Sequence, residues 1–383
     1  MVFELTDEQK LIQETARDFA QKRLKPVALE LDEKEEVTPE VMKELGELGY
    51  FGIVIPEKYG GSDLDMLSYI LILEEIAKVS AGVMITVSVH NSLFCRALVK
   101  YANEEQKQKY LPKMATGEWI GAYALTEPYS GTDAGGLRTK AVKKDNGYVL
   151  NGEKLFVTNA GLANVFVVFA SINPELKAKG ISCFIVEKSF KGLSVGAKEK
   201  KLGIRSSDTR AISLADCHVP QENLLGTPGE GFKMALEILD SGRIGVAAQA
   251  LGIAEAAFEE SLKYAQERKQ FDQPISSFQA IQFKLADMAT RIEAARHLVY
   301  NAASLKGDNH DFVKHASMAK LFASEMANFV TNEAVQIHGG YGYMKEYPVE
   351  RYFRDARITE IYEGTSEAQR ITIFRELVKD ANK

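Results

Sequence analysis

The chain has 383 residues, enough for two or three domains that each bury a real interior. Hydrophobic residues make up 45% and charged residues 26%, which excludes a disordered chain. The net charge of -6 argues against a nucleic-acid surface, because neutralising phosphates takes a basic excess or a dense basic face.

The first part, to about Glu118, reads as helices. Thr6 with Gln9 three residues on forms a capping box, and Leu11, Ile12, Phe19 and Leu24 continue an apolar stripe that Pro26 ends or kinks. Further helices are expected from Pro39 to Leu48, from Leu67 to Val79 and from Glu104 to Met114. The opening "MVFELTDEQK" has no basic region followed by an apolar core, and no uninterrupted apolar run reaches membrane-spanning length. Cys95, Cys183 and Cys217 stand far apart without a C-x-x-C pair, so buried thiols are expected rather than disulfides or a zinc site. A cytoplasmic protein follows as the expectation.

From about Gly121 the pattern changes to strands. In "YVLNGEKLFVT" the pair Asn151-Gly152 lies between alternating and β-branched residues and predicts a hairpin. "NVFVVFASI" and "GISCFIVEK" fit buried strands, "TRAISLADCHVP" adds another, and the β unit ends near "ENLLGTPGEGF". After Phe232 the helical pattern returns, rich in Ala and Gly on faces where helices approach closely, and it predicts a bundle. Helix, then sheet, then helix excludes the alternation of a doubly wound fold. The expected domains are 1–119, helical; 120–228, β; and 229–383, a helical bundle.

No G-x-G-x-x-G follows a strand and no G-x-x-x-x-G-K-[ST] occurs, so neither a Rossmann site nor a P-loop is expected. His90, His218, His297, His310, His315 and His338 include no H-E-x-x-H; the last of these read as facing solvent or core, and no metal site is expected. "YALTEPYSGTDAGG" presents hydroxyls and freely oriented amides suited to a ring edge or a phosphate, although a plain interdomain loop has the same composition. Phe156 and Thr158 share a strand face and can floor a flat cofactor; a core Phe and a surface Thr are the ordinary alternative. "QIHGGYGY" breaks a helix at Gly339 and Gly340, either to approach phosphate or as a simple helix end. "ERKQFDQP", with Arg268 and Phe271, equally reads as a helix end with a surface cation. In "RITEIYEGTSEAQR", Ile361 and Tyr362 read as buried and Ser366 as a helix start. The turn between them needs Gly364 but not the acid Glu363.

Taken together and in order, "YALTEPYSGTD", "KLFVTN", "LGIRSSDT", "LDSGRIGVAAQALGIA", "RKQFDQPISSFQAIQFKLADM", "QIHGGYGY" and "RDARITEIYEGTSEAQR" resemble the acyl-CoA dehydrogenases over essentially the whole chain, most of all the short-chain, butyryl-CoA type. The resemblance implies an α+β multidomain fold: an N-terminal helical domain, a middle β-barrel or sandwich and a C-terminal four-helix bundle. It also implies FAD bound without a Rossmann fold, a homotetramer, and electron transfer to an electron-transfer flavoprotein.

By that similarity Tyr123, Leu125, Thr126, Gly131 and Thr132 would lie along the flavin and its pyrophosphate, and Phe156 and Thr158 would cover the ring. The family often has Trp where Phe156 stands. Arg268, Gln270, Phe271, Gln336, Gly339 and Gly340 would reach the FAD of a neighbouring subunit. Thr365 and Glu367 would touch the adenine half, with Gln common in the family at the second position. Thr132, Asp240, Arg243, Tyr362 and Gly364 would hold the acyl-CoA. Glu363 matches the base that removes the α-proton, while its backbone N–H and a flavin ribityl hydroxyl would stabilise the enolate oxygen. A helix N-terminus beside it favours the ionised form and exclusion of water favours the protonated one.

Relatives acting on isovaleryl or long chains carry the base in the stretch matching "LDSGRIG", where this chain has Gly242. Glutaryl types carry an Arg where this chain has Met84, so a dicarboxylic substrate is disfavoured. The helix around Met84, His90, Asn91 and Phe94 would line the acyl pocket together with the bundle helix. The expected reaction is α,β-dehydrogenation of a short-chain acyl-CoA to the trans-2-enoyl-CoA. The alternatives are an alicyclic or branched acyl-CoA, or a flavin-binding scaffold without catalysis.

Overall fold

The structure, a computed structural model, describes residues 4–305 and 311–382. His310 lies outside the described residues. The chain opens with α1 (Asp7–Phe19), whose Thr6–Gln9 capping box forms as the spacing requires. Leu11 departs from the expected stripe and is 64% exposed, because the inward face runs through Ile12, Ala16 and Phe19. Around Pro26 the helix changes pitch rather than stops: a wider π-helical turn (Ala20–Leu24) and a tighter 3-10 turn (Lys25–Val27) lead into α2 (Ala28–Lys34).

The next helices are α3 (Pro39–Glu47) and α4 (Met66–Val79). Then α5 (Ala81–Ser88), a π-helical turn (Val89–Cys95) and α6 (Arg96–Tyr101) form one continuous stretch, followed by α7 (Glu104–Ala115). The stretch Ala81–Tyr101, with mean hydropathy 1.3, is long and apolar enough by length and composition to cross a membrane, although His90, Asn91, Arg96 and Lys100 interrupt its apolar run. It is 89% buried within the fold and therefore serves as a core helix. Burial on every side erases the amphipathic period that marks surface helices.

Eight strands follow: β1 (Gly121–Ala124), β2 (Lys140–Lys144), β3 (Gly147–Thr158), β4 (Val165–Ser171), β5 (Ile181–Glu187), β6 (Leu193–Lys198), β7 (Thr209–Pro220) and β8 (Leu224–Leu225). Their order is β6-β7-β3-β2-β4-β5-β8, with β1 parallel to β4. Along β4, Phe166, Val168 and Ala170 pack into the sheet's own core, while Val165, Val167 and Phe169 pack against the helices. Coverage on both faces explains why this strand reads as an unbroken apolar run.

The expected hairpin at Asn151-Gly152 does not form. The turn lies at Asp145-Asn146, between Lys144 and Gly147, and β3 runs straight through Asn151 with a register shift against β7 between Leu150 and Gly152. Gly152 is needed there because a Cβ would sit 2.4 Å from the Thr139 hydroxyl. Gly152→Ala is accordingly expected to cost about 1–3 kcal/mol through overpacking, read as a lower urea midpoint.

The last third is helical. α8 (Gly231–Glu267) is followed by a short ribbon, β9 (Lys269–Gln270) and β10 (Gln273–Pro274), then α9 (Gln279–Ser304), α10 (Asp311–His338), α11 (Val349–Ala356) and α12 (Ser366–Ala381). α8 packs on α9, α10 and α4, and α10 also packs on α12. Close approach depends on small residues: a Cβ at Gly252 would lie 2.4 Å from the Glu74 carbonyl of α4. α8 thus bridges the N-terminal helices to the bundle, and its Ala235 carbonyl accepts from the Tyr123 hydroxyl of β1 at 3.4 Å.

Candidate active site

A cleft of about 1480 Å³ opens where the sheet, α8 and the turn before α12 meet. That exceeds the usual range of about 300–1,000 Å³ for a single small-molecule pocket, so it has room for a cofactor and a substrate. Tyr123, Leu125, Thr126, Gly131 and Thr132 line one wall, with Phe156 and Thr158 beside them. Arg243, Tyr362, Glu363, Gly364 and Thr365 line the other.

The sheet side is held from behind. The Leu125 carbonyl accepts from Lys154 Nζ at 3.1 Å, and the Thr126 carbonyl accepts from the Leu155 amide at 2.9 Å. Lys154 is fully buried and its ammonium meets Glu127 Oε1 at 2.7 Å. Glu127 also accepts from the Thr139 hydroxyl and amide and from the Arg138 amide. A register shift between Lys154 and Val157 lifts Phe156 out of the ladder, with φ of 56° and 64% of its surface exposed on the cleft wall. Lys177, Ile204 and Glu363 also line the cleft with positive φ. Backbone held in a costly region by non-glycine residues gathers where function demands it.

Glu363 sits in the turn expected for it, with φ of 51° followed by Gly364 at 97°. Thr365 caps α12 by accepting from the Ala368 amide. The Gly364 carbonyl accepts from Lys320 Nζ at 2.8 Å and from Gln369 Nε2 at 2.9 Å. Glu363 Oε2 is buried and has no hydrogen-bond partner among the described residues. A Cβ at Gly242 would lie 2.1 Å from that oxygen, so the side chain missing from Gly242 is the space the carboxylate fills. Burial pushes the Glu363 carboxyl up to about 7, against the pull of Lys320 and then Arg243. Exclusion of water therefore outweighs the two neighbouring cations before any ligand enters.

Arg243 is buried in α8, donates to Asp240 at 2.6 Å and to the Ser317 hydroxyl at 3.2 Å, and its Nε has no partner among the described residues. Asp240 does not line the cleft; it orients Arg243. Ile361, expected to be buried, is 47% exposed and lines the cleft, and Tyr362 is half-buried with its hydroxyl donating to Gln249 Oε1. The turn faces the cleft rather than a packed interior, which is why its apolar residues are open.

The pocket helix presents other residues than expected. Met84, His90, Asn91 and Phe94 are fully buried and line no part of the cleft. His90 meets the Met114 carbonyl and the Gly121 amide, and Asn91 donates to the Tyr50 and Val87 carbonyls. Val89 and Leu93, four residues apart on one face, line it instead. Glu367 is exposed and lies outside the lining. Arg268, Gln270, Phe271, Gln336, Gly339 and Gly340 also lie outside it and are largely exposed, Phe271 by 88%.

Sequence reasoning missed Glu127, Lys154 and Lys320. The last had a readable signal: a lysine on a helical face otherwise made of Ala316, Ala319, Ala323 and Ala327.

Comparison with known proteins places this geometry. Models of the acyl-CoA dehydrogenase N-terminal, middle and C-terminal domains match residues 6–118, 122–217 and 229–378. The chain is 50% identical to a short-chain specific acyl-CoA dehydrogenase of Clostridium acetobutylicum, over 97% of this chain and 98% of that one. It superimposes on butyryl-CoA dehydrogenase from Megasphaera elsdenii with a TM-score of 0.96 and 48% identity, covering 99% of this chain and 100% of the other. A chain in a structure described as an electron transferring flavoprotein of Acidaminococcus fermentans gives a TM-score of 0.97 and 51% identity, with coverage of 99% and 100%. An acyl-CoA dehydrogenase complexed with FAD from Bacillus anthracis gives 0.92 and 40%, with coverage of 99% and 69%. With three domain models matched in order and relatives of this identity along its whole length, the chain belongs to the acyl-CoA dehydrogenase family.

Proposed function

We propose that this oxidoreductase dehydrogenates a short-chain acyl-CoA, with Glu363 as the base that takes the α-proton. The observation that carries the reading is the Glu363 carboxylate, with Oε2 buried and unpartnered beside the cleft. An acceptor kept dry and without a donor is matched to a weakly acidic C–H bond. The Glu363 amide, turned by the left-handed pair at Glu363 and Gly364, is the donor for the developing enolate oxygen.

FAD is the cofactor, and when bound it accepts the hydride that leaves the β-carbon. The residues present fit it: exposed Phe156 offers a ring face, and Gly131 faces open space with nothing within 4 Å of a would-be Cβ. Thr126, Thr132 and Thr158 supply hydroxyls for polar edges, and Thr365 sits toward the adenine half. Gln270, Phe271, Gln336, Gly339 and Gly340, exposed in one chain, complete with the half-buried Arg268 the site of a second copy, and Glu367 joins Thr365 at the adenine half. This requires at least a dimer, and membership of the family supports a homotetramer. The similarity to the chain from the Acidaminococcus structure supports an electron-transfer flavoprotein as acceptor. Three buried free thiols support a reducing, cytoplasmic setting, and the element order supports domains at 1–119, 120–228 and 229–383.

Arg243, oriented by Asp240, holds the CoA portion, Tyr362 lies against the thioester, and Val89 and Leu93 bound the acyl chain. Anaerobic addition of butyryl-CoA should bleach the flavin spectrum; bleaching by cyclohexanecarboxyl-CoA alone would move the assignment to alicyclic acids. Reduction by neither would point to a scaffold or a different acyl group. Gly242→Ala should lower kcat by about 10²-fold with FAD still bound, because its methyl displaces Glu363 Oε2 by the order of 1 Å. Steady-state kinetics together with the flavin-to-protein absorbance ratio would check it.

A further inference from the structure

We propose that Lys320 is a positioning residue for Glu363: it pins the Glu363–Gly364 turn and supplies, with Arg243, the positive charge against which the acid ionises. The inference rests on the reading of Glu363 as the base.

Lys320 is fully buried in α10, on a face where Ala316, Ala319, Ala323 and Ala327 are each 0% exposed. A lysine in such a place is costly unless its ammonium has a task. Its hydrogen bond goes not to a carboxylate but to the Gly364 carbonyl at 2.8 Å, which Gln369 Nε2 also reaches at 2.9 Å. Gln369 is itself fully buried, so both donors come from fixed side chains. Two successive residues with positive φ, one of them not glycine, need such restraint from outside the turn. Holding the Gly364 carbonyl fixes the Gly364–Thr365 peptide plane, and Gln369 Nε2 also donates to the Glu363 carbonyl at 3.4 Å, so the planes on both sides of Gly364 are held and with them the backbone that carries the carboxylate.

Titratable groups face Glu363 from α4, α8, α10 and β1 and from its own turn. α8 contributes Arg243, which is paired with Asp240 at 2.6 Å. α4 contributes Tyr69 and β1 contributes Tyr123, both neutral because burial pushes their hydroxyls up. Tyr362 of the same turn is likewise neutral, and Glu360 and Glu367 lie on either side of the turn. Among the described residues, α10 contributes Lys320 alone. Asp240 discounts the Arg243 charge, so Lys320 is the cation not already answered by a carboxylate in contact. Lys320 is also the stronger of the two influences lowering the Glu363 carboxyl, while burial pushes the Lys320 ammonium down to about 8.

Lys320→Met keeps the length of the side chain and removes the cation and the donor. The acid limb of kcat/KM against pH should move up by about one unit or more, a tenfold loss at the foot of that limb. Lys320→Arg, which keeps a cation, should bring the limb back toward that of the parent. Melting temperature against pH gives a reading independent of turnover: near pH 7, where Glu363 titrates, Lys320→Met should alter the dependence in the parent and not in the Glu363→Gln background, whereas the change from about pH 8 upward that comes from loss of the lysine's own titration should appear in both. The melting arm tests the Lys320–Glu363 coupling even if another group proved to be the base, and Glu363→Gln alone tests the base.

A folded Lys320→Met protein with an unmoved pH limb would overturn the proposal. So would an equal change in melting near pH 7 with and without Glu363. If Lys320→Met gives no folded protein, Lys320→Arg decides: an unmoved limb supports the role of the cation, and a limb shifted as far as one unit contradicts it.

Discussion

Glu363→Gln is expected to reduce kcat by about 10⁴-fold, the upper end of what a positioned base contributes, while FAD content stays unchanged. Gln keeps the size and the buried contacts of the acid but cannot accept the α-proton. In the parent protein, kcat/KM should rise tenfold per pH unit up to about 7 and then level, because only the ionised carboxylate is competent. The same site should make the inactive variant the more stable one at alkaline pH. The Glu363 carboxyl is raised from 4.5 to about 7 on folding, so its contribution is fully present below 4.5 and is lost as pH rises through about 7. Gln never ionises and never loses it. A gain of roughly 3 kcal/mol at pH 8, shrinking toward pH 5, follows from about 1.4 kcal/mol per unit, and melting curves at the two pH values would read it. A variant that kept turnover would refute the assignment of the base.

Glu127→Ala is the second large expected effect, this time on stability and cofactor retention. Burial pushes the Glu127 carboxyl up, but Lys154, Thr139 and the Arg138 amide outweigh it and hold the group below its ordinary range. Lys154, fully buried, is pushed down by burial to about 8 even with this partner present. Removing the acid strands the ammonium and the amides of Arg138 and Thr139, at a cost of about 3–5 kcal/mol. The Leu125–Thr126 segment on the cleft wall then loses its backing, so the flavin-to-protein ratio should fall along with the urea midpoint. Lys154→Met added to Glu127→Ala should restore most of the stability, since replacing both partners of a buried pair with apolar groups is close to neutral. Failure of the double variant to recover would mean that the backbone donors of Arg138 and Thr139, not the stranded cation, carry the cost.

Local periodicity and turn chemistry were sufficient for the order of elements. The Thr6–Gln9 capping box, the buried runs at β4 and β5 and the break at Gly339 all depend on neighbours in the chain, and all appear where the residues place them. The odd acid of "IYEGTSE" was legible for the same reason: Gly364 and Thr365 announce a turn entering a helix, and neither requires a carboxylate.

What the chain could not disclose was which face of each element meets which neighbour. Asn151-Gly152 carries a hairpin signal, yet Thr139 and β7 occupy the space and turn it into a bulge. Val89 and Leu93 face the cleft while His90 and Asn91 are drawn inward by carbonyls at Met114, Tyr50 and Val87, partners far away in sequence. The carboxylate of Glu363 was visible in the sequence, but its proton affinity was not. That property comes from the water excluded by α8 and α10 and from Lys320 and Arg243, which those helices bring to it, because desolvation and Coulomb forces act through space and not along the chain.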